Sequence, residues 1–292
     1  MKNKIINFIK GHSLVGAWTL LYLIAQVIAS MGIMVLKVFN DENYADLFLK
    51  TMKPIYSDGS SQILYTEEML GAYSVMLSEI MLPILLVSNL IIVLFFVIKN
   101  YFSKEKALKK LKINNISKYI FIGILLNIVI SLIISFLPKE LLEQHSLFTS
   151  VALNGGFIMT LITTGIISPI AEEVIFRYGI QRSLYRVNPI YAIIYQSVIF
   201  GLLHGNIIQI TYATVLGLIF GYIYYRSKNL LTPILLHIAI NSSSVIISST
   251  KINEFFGLLL LVIISFIMFI VSEKLLKKKK IVLLDTTENK KN

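Results

Sequence analysis

The 292-residue sequence contains no cysteine, so disulfides, thiolate metal sites and a cysteine nucleophile are all excluded. Charge is scarce as well: 15% of residues are Asp, Glu, Lys or Arg, against 56% hydrophobic. A soluble domain carries about 25% charged and about 45–50% apolar residues, so this balance describes a polytopic membrane protein. All the aspartates, Asp41, Asp46, Asp58 and Asp285, fall outside the apolar runs, which rules out an intramembrane aspartyl dyad. Also absent are an H-E-x-x-H zinc helix, a G-x-S-x-G nucleophile elbow, a Gly-rich phosphate loop and an internal repeat.

What is present is apolar sequence of spanning length. Runs near 14–38, 75–98, 119–137, 151–175, 190–206, 208–225, 231–249 and 255–272 predict an all-α fold of about eight transmembrane helices. The 99–118 connection carries Lys99, Lys104, Lys106, Lys109, Lys110, Lys112 and Lys118, whereas the 39–74 connection carries Asp41, Glu42, Asp46, Asp58, Glu67 and Glu68. Basic loops stay in the cytoplasm, so the first connection is expected inside, the second outside, and both termini cytoplasmic. The net charge of +11 sits in juxtamembrane stretches with no finger or recognition-helix pattern. It therefore reads as contact with anionic lipid, not with nucleic acid. Three regions follow: 1–114, N-terminal spans with the external loop 39–74 and the basic cytoplasmic loop; 115–250, a core; and 251–292, a last span with a basic tail. The external loop reads as partly helical, with a turn at Asp58–Gly59.

Glu172, Glu173 and Arg177 lie inside the run around Ser168–Arg177. A charge near the bilayer centre costs about 3 kcal/mol or more, so such residues are functional candidates by default. His204 and His237 fall in later spans. Asn188 and Pro189 form a helix N-cap followed by proline, hence a hairpin turn. Glu172 and His204 are equally far from that turn in sequence, about 24 Å of helix each, so carboxylate and imidazole are expected at one height. His237 and Asn241 share a helical face four residues apart. So do Glu173 and Arg177, in the order that suits an ion pair, while Glu172 points about 100° away from them. Pro169 cannot donate to the carbonyl of Gly165, which predicts a kink or widened turn. Gly201 with Gly205, and Gly217 with Gly221, predict close helix packing.

Taken singly, each feature has a structural reading: a histidine satisfied by packing, an ion pair that only positions a helix. Taken together they have a different weight. Glu172-Glu-Val-Ile-Phe-Arg177, Phe200-Gly-Leu-Leu-His204 and His237-Ile-Ala-Ile-Asn241 resemble the three motifs of the CAAX protease and bacteriocin-processing (Abi) family of intramembrane proteases, over about 150–250.

The resemblance implies an intramembrane endopeptidase in which Glu172 and His204 activate water. His237 and Asn241 then steady the oxyanion, with Glu173 and Arg177 supporting. It leaves a zinc ion open, with Glu172, His204 and His237 as ligands and water as the fourth. The commitment of Glu173 to Arg177 tilts the reading toward metal-free chemistry. The implied substrate is a membrane-associated peptide or protein. The eukaryotic branch cleaves prenylated C-terminal tripeptides, and bacterial members are linked to peptide processing or bacteriocin self-immunity. The Ile-, Lys- and Asn-rich composition resembles that of A+T-rich bacterial genomes, which points to a bacterial plasma membrane. Two competing readings are a non-enzymatic scaffold that retains the motifs and a transporter with a buried proton relay. Lack of pseudo-repeat halves counts against the transporter.

Overall fold

The computed structural model describes residues 2–52, 55–56, 63–64, 67–104, 106–153, 156–250 and 254–288. The expected turn at Asp58–Gly59 lies outside the described residues. Among the described residues the chain is all-α apart from one antiparallel pair of two-residue strands, β1 (Ile55–Tyr56) and β2 (Ile63–Leu64), in the 39–74 segment. That segment also contributes a short helix, so it is helical in part, as its sequence suggests.

In chain order the helices are α1 (Lys2–Asn40), α2 (Glu42–Met52), α3 (Glu67–Phe102), α4 (Ile113–Ser135) and α5 (Lys139–Leu153). There follow α6 (Phe157–Leu184), α7 (Pro189–Leu202), α8 (Ile207–Ser227), α9 (Leu231–Ser248) and α10 (Glu254–Glu288). Six of these, α1, α3, α4, α6, α8 and α9, are long and apolar enough to cross a membrane among the described residues. The expected count of eight is not reached. The segment expected as a fifth span, 190–206, forms a helix of only 14 residues, and the eighth, 255–272, lies in α10, which is not among the six.

The helices are not equivalent. The most apolar window of α1 is 11% buried, whereas those of α6 and α9 are 50% and 56% buried. α6 and α9 therefore form the interior. α6 packs on α1, α3, α7 and α9, while α4 covers the outer side of α9 and carries α10. Missing side chains permit the tightest contacts. A Cβ at Gly217 would stand 2.9 Å from the Ser197 Cα, and one at Gly221 would stand 2.6 Å from the Gln196 amide nitrogen, so α7 and α8 meet backbone to backbone. Gly201 lies on the same seam, against Thr214 and Ile210. Gly205 does not pack as the sequence pairing suggests. It adopts φ 72° in the turn between α7 and α8, a region open to glycine at no steric cost.

Candidate active site

The site is built on an irregular helix. α6 runs as α-helix only at Phe157–Thr160, Ser168–Glu173 and Arg182–Leu184, and its intervening stretches Leu161–Ile167 and Val174–Gln181 are π-helical. Pro169 explains the first. In the wide register the Ser168 N–H bonds the Thr163 carbonyl, which leaves Thr164 and Gly165 looking toward a residue that has no N–H to give. α9 supplies both missing donors. Asn241 Nδ2 donates to the Thr164 oxygen at 3.1 Å, and the Ser242 hydroxyl donates to the Gly165 oxygen at 3.0 Å. At membrane depth such carbonyls must find a partner inside the protein, so this pair of bonds fastens α9 to the bend.

The two glutamates that follow differ in surroundings. Glu173 is fully buried, with one oxygen 2.9 Å from Arg177 Nε and the other 2.9 Å from His237 Nδ1. The contact with Arg177 is an ion pair by distance but is not aligned as an N–H···O hydrogen bond. Arg177 is also fully buried. Its guanidinium lies over the rings of Phe200 at 4.7 Å, Phe220 at 5.4 Å and Phe176 at 6.0 Å, an aromatic enclosure that offers cation–π attraction where water is excluded. Glu172 keeps 23% of its side chain exposed, and its Oε2 stands 3.7 Å from His237 Nε2. One imidazole thus faces both carboxylates, one through each nitrogen. A neutral ring that donates to Glu173 carries its hydrogen on Nδ1 and turns an accepting Nε2 toward Glu172.

His204 is placed differently from its sequence reading. It does not lie within a span: α7 stops at Leu202, because Gly205 turns the chain and Asn206 caps α8 by accepting from the N–H groups of Ile208 at 3.0 Å and Gln209 at 3.3 Å. The His204 Nδ1 pairs with the Phe200 carbonyl at 2.8 Å, and its ring stands edge-on to Phe200 at 4.9 Å. Phe200 presents to His237 as well, at 5.9 Å, so the two histidines flank one aromatic ring. Among the described residues the close contact of Glu172 is with the His237 ring, and none is formed between Glu172 and His204. The hairpin cap itself is as the sequence suggests, with Asn188 Oδ1 accepting from Ile190 N at 2.8 Å and Tyr191 N at 3.0 Å.

No three of the described histidine, aspartate and glutamate side chains form a group that could hold a metal ion. Glu173 holds His237 Nδ1 and leaves Nε2 facing Glu172, but His204 does not join that pair, so Glu172, His204 and His237 do not group around a zinc ion in this arrangement.

Sequence reasoning missed three contributors. Phe200 is read there only as the start of a motif, yet it touches Arg177, His204 and His237. Tyr22 of α1 and Tyr212 of α8 both come within electrostatic reach of Glu172. A phenol inside an apolar run is a signal, since a buried hydroxyl needs a polar neighbour, but nothing local says which.

Comparison with known proteins converges on the same segment. Residues 154–243 match the family Type II CAAX prenyl endopeptidase Rce1-like. The chain is also 33% identical over 98 residues to "Putative membrane peptidase YdiL" of Bacillus subtilis (strain 168). That alignment covers 33% of this chain and 40% of the relative's length. No solved structure matches the chain. The matched residues include Glu172, Glu173, Arg177, His204, His237 and Asn241, so it is this segment, about a third of the chain, that is similar to the CAAX endopeptidase family.

Proposed function

We propose that the protein is an intramembrane endopeptidase that hydrolyses a peptide bond of a membrane-associated peptide or protein at Glu172. The observation that carries this reading is the relay Arg177, Glu173, His237, Glu172, in which a buried carboxylate fixes the tautomer of an imidazole whose other nitrogen lies 3.7 Å from a part-exposed carboxylate. A base oriented by a second carboxylate is the arrangement that general acid–base hydrolysis requires.

In this reading Glu172 takes a proton from a water molecule as the oxygen adds to the scissile carbonyl carbon. The same proton is then delivered to the leaving amine nitrogen as the C–N bond breaks. His237 shares that proton and is held in place by Glu173. Asn241 has a second amide hydrogen beyond the one it gives Thr164, and this is the donor assigned to the oxyanion. His204, by the family resemblance, is the second proton-handling group. The substrate is a bacterial peptide precursor or a bacteriocin-related peptide, met in the plasma membrane.

The test is mass spectrometry of products from a library of membrane-anchored peptides incubated with purified protein. Glu172→Ala, His237→Ala and His204→Ala should each lower turnover by at least about 100-fold, the range of general acid–base contributions. Identical products at an undiminished rate from folded Glu172→Ala would end the assignment.

A further inference from the structure

Away from the glutamates, a pocket of about 290 Å³ lies between α1, α3 and the C-terminal end of α6. Its cationic wall is Lys99, Arg182 and Arg186, and its aromatic wall is Trp18 and Tyr178. No acidic side chain is among the described residues that line it. The aromatic wall is rigid. Trp18 meets Tyr178 edge-on at 5.8 Å, and a Cβ on Gly179 would lie 2.5 Å from the Trp18 ring, so the indole rests directly on the backbone of α6. Lys99 Nζ stands over Trp18 at 4.7 Å and the Arg182 guanidinium over Tyr178 at 5.3 Å. Lys99 and Arg186 are exposed, and so able to turn toward a ligand.

The setting identifies the chemistry. Lys99 is close to the end of α3, Arg182 lies in the last turn of α6 and Arg186 just beyond it, the ends that the loop charges assign to the cytoplasmic face. Leu14 of the pocket and the neighbouring Phe95 and Ile98 of α3 are 39%, 40% and 52% exposed, an apolar approach for acyl chains beside a cationic end. Basic pockets between spanning helices on the cytoplasmic side suit anionic headgroups, whose phosphate a guanidinium grips through paired hydrogen bonds. We propose that this pocket binds the phosphate of an anionic phospholipid headgroup, with the acyl chains lying along α1 and α3. The site is independent of the proteolytic reading, since none of its residues touches Glu172 or His237 directly.

Trp18 is the sole tryptophan of the sequence, so its fluorescence reports this pocket alone. Protein in neutral detergent is titrated with short-chain phosphatidylglycerol, with phosphatidylcholine of equal chain length, and with glycerol 3-phosphate. Phosphatidylglycerol should change the emission saturably and the other two should not. The variant Lys99→Gln with Arg186→Gln should raise the midpoint roughly thirtyfold, about fivefold per juxtamembrane cation lost. Lys109→Gln with Lys110→Gln, in the basic loop outside the pocket, should titrate as wild type. Equal response to phosphatidylcholine overturns the proposal, as does a loss in the loop variant as large as that in the pocket variant. Saturation by glycerol 3-phosphate at the same midpoint replaces the lipid with a soluble phosphate. The lipid arms on the wild-type protein decide the matter even if the pocket variant fails to fold.

Discussion

Replacing Arg177 with alanine isolates the energetics of the relay. Glu173 and Arg177 both have fully buried side chains, 2.9 Å apart. Without the guanidinium, Glu173 keeps His237 as its remaining partner among the described residues. Breaking a buried pair from one side costs about 3–5 kcal/mol, because the surviving charge stays desolvated. The stacking on Phe176, Phe200 and Phe220 is lost with it. At about 2–4 °C per kcal/mol, melting in detergent should fall by about 6–20 °C. A second variant separates charge from chemistry. Glu173→Leu with Arg177→Met removes both ions and fills their volume, so melting should recover most of the loss, since apolar replacement of a buried pair is often neutral. Activity should not recover, because nothing then orients His237. The assay is melting by intrinsic fluorescence or circular dichroism, in parallel with peptide turnover. Arg177→Ala melting within about 2 °C of wild type would refute the reasoning, and a double variant that cleaves normally would remove Glu173 from the relay.

The bend in α6 gives a test of its own. Ser242→Ala leaves the Gly165 carbonyl without its donor and should cost about 1–3 kcal/mol. The same change made on Pro169→Ala should cost much less, since the restored N–H can serve the carbonyl instead, and a thermal-melt double-mutant cycle measures the difference. The donor geometry at Glu172, His204 and His237 leads to the expectation that protein stripped with a strong chelator keeps its turnover and carries far less than one metal per chain. Stoichiometric zinc, with activity lost on stripping and regained on addition, is the contrary result.

Much of the site was legible because the informative residues act locally. Asn188 before Pro189 names a cap, Pro169 four residues after Gly165 names a bend, and Glu173 four before Arg177 names an ion pair, each read from one helical turn. The pairing of Glu172 with His204 depended on counting residues along two unbroken α-helices. The count does not carry over, since Val174–Gln181 is π-helical and α7 ends at Leu202. Gly205 shows a second failure of spacing. Four residues after Gly201 it looks like a packing pair, yet Asn206 behind it makes the segment a turn. The contact of His237 with both carboxylates, and the ring of Phe200 between the histidines, join residues far apart in sequence, where no local rule reaches.

The brevity of α7 bears on the bilayer itself. Its 14 residues rise about 21 Å, short of a hydrocarbon layer about 30 Å thick. Ile190, Ile194, Val198 and Leu202, spaced every four residues, form an exposed apolar stripe at 69%, 51%, 43% and 56%, so this short helix faces lipid tails. A helix this short favours a thinner bilayer alongside it, next to the turn that bears His204. Thinning there would bring headgroups and solvent closer to Glu172, the part-exposed carboxylate proposed to activate water. On the proposed hydrolytic reading, turnover is expected to be faster in vesicles of short-chain lipid and slower in those of long-chain lipid, and equal rates across chain lengths would remove this link.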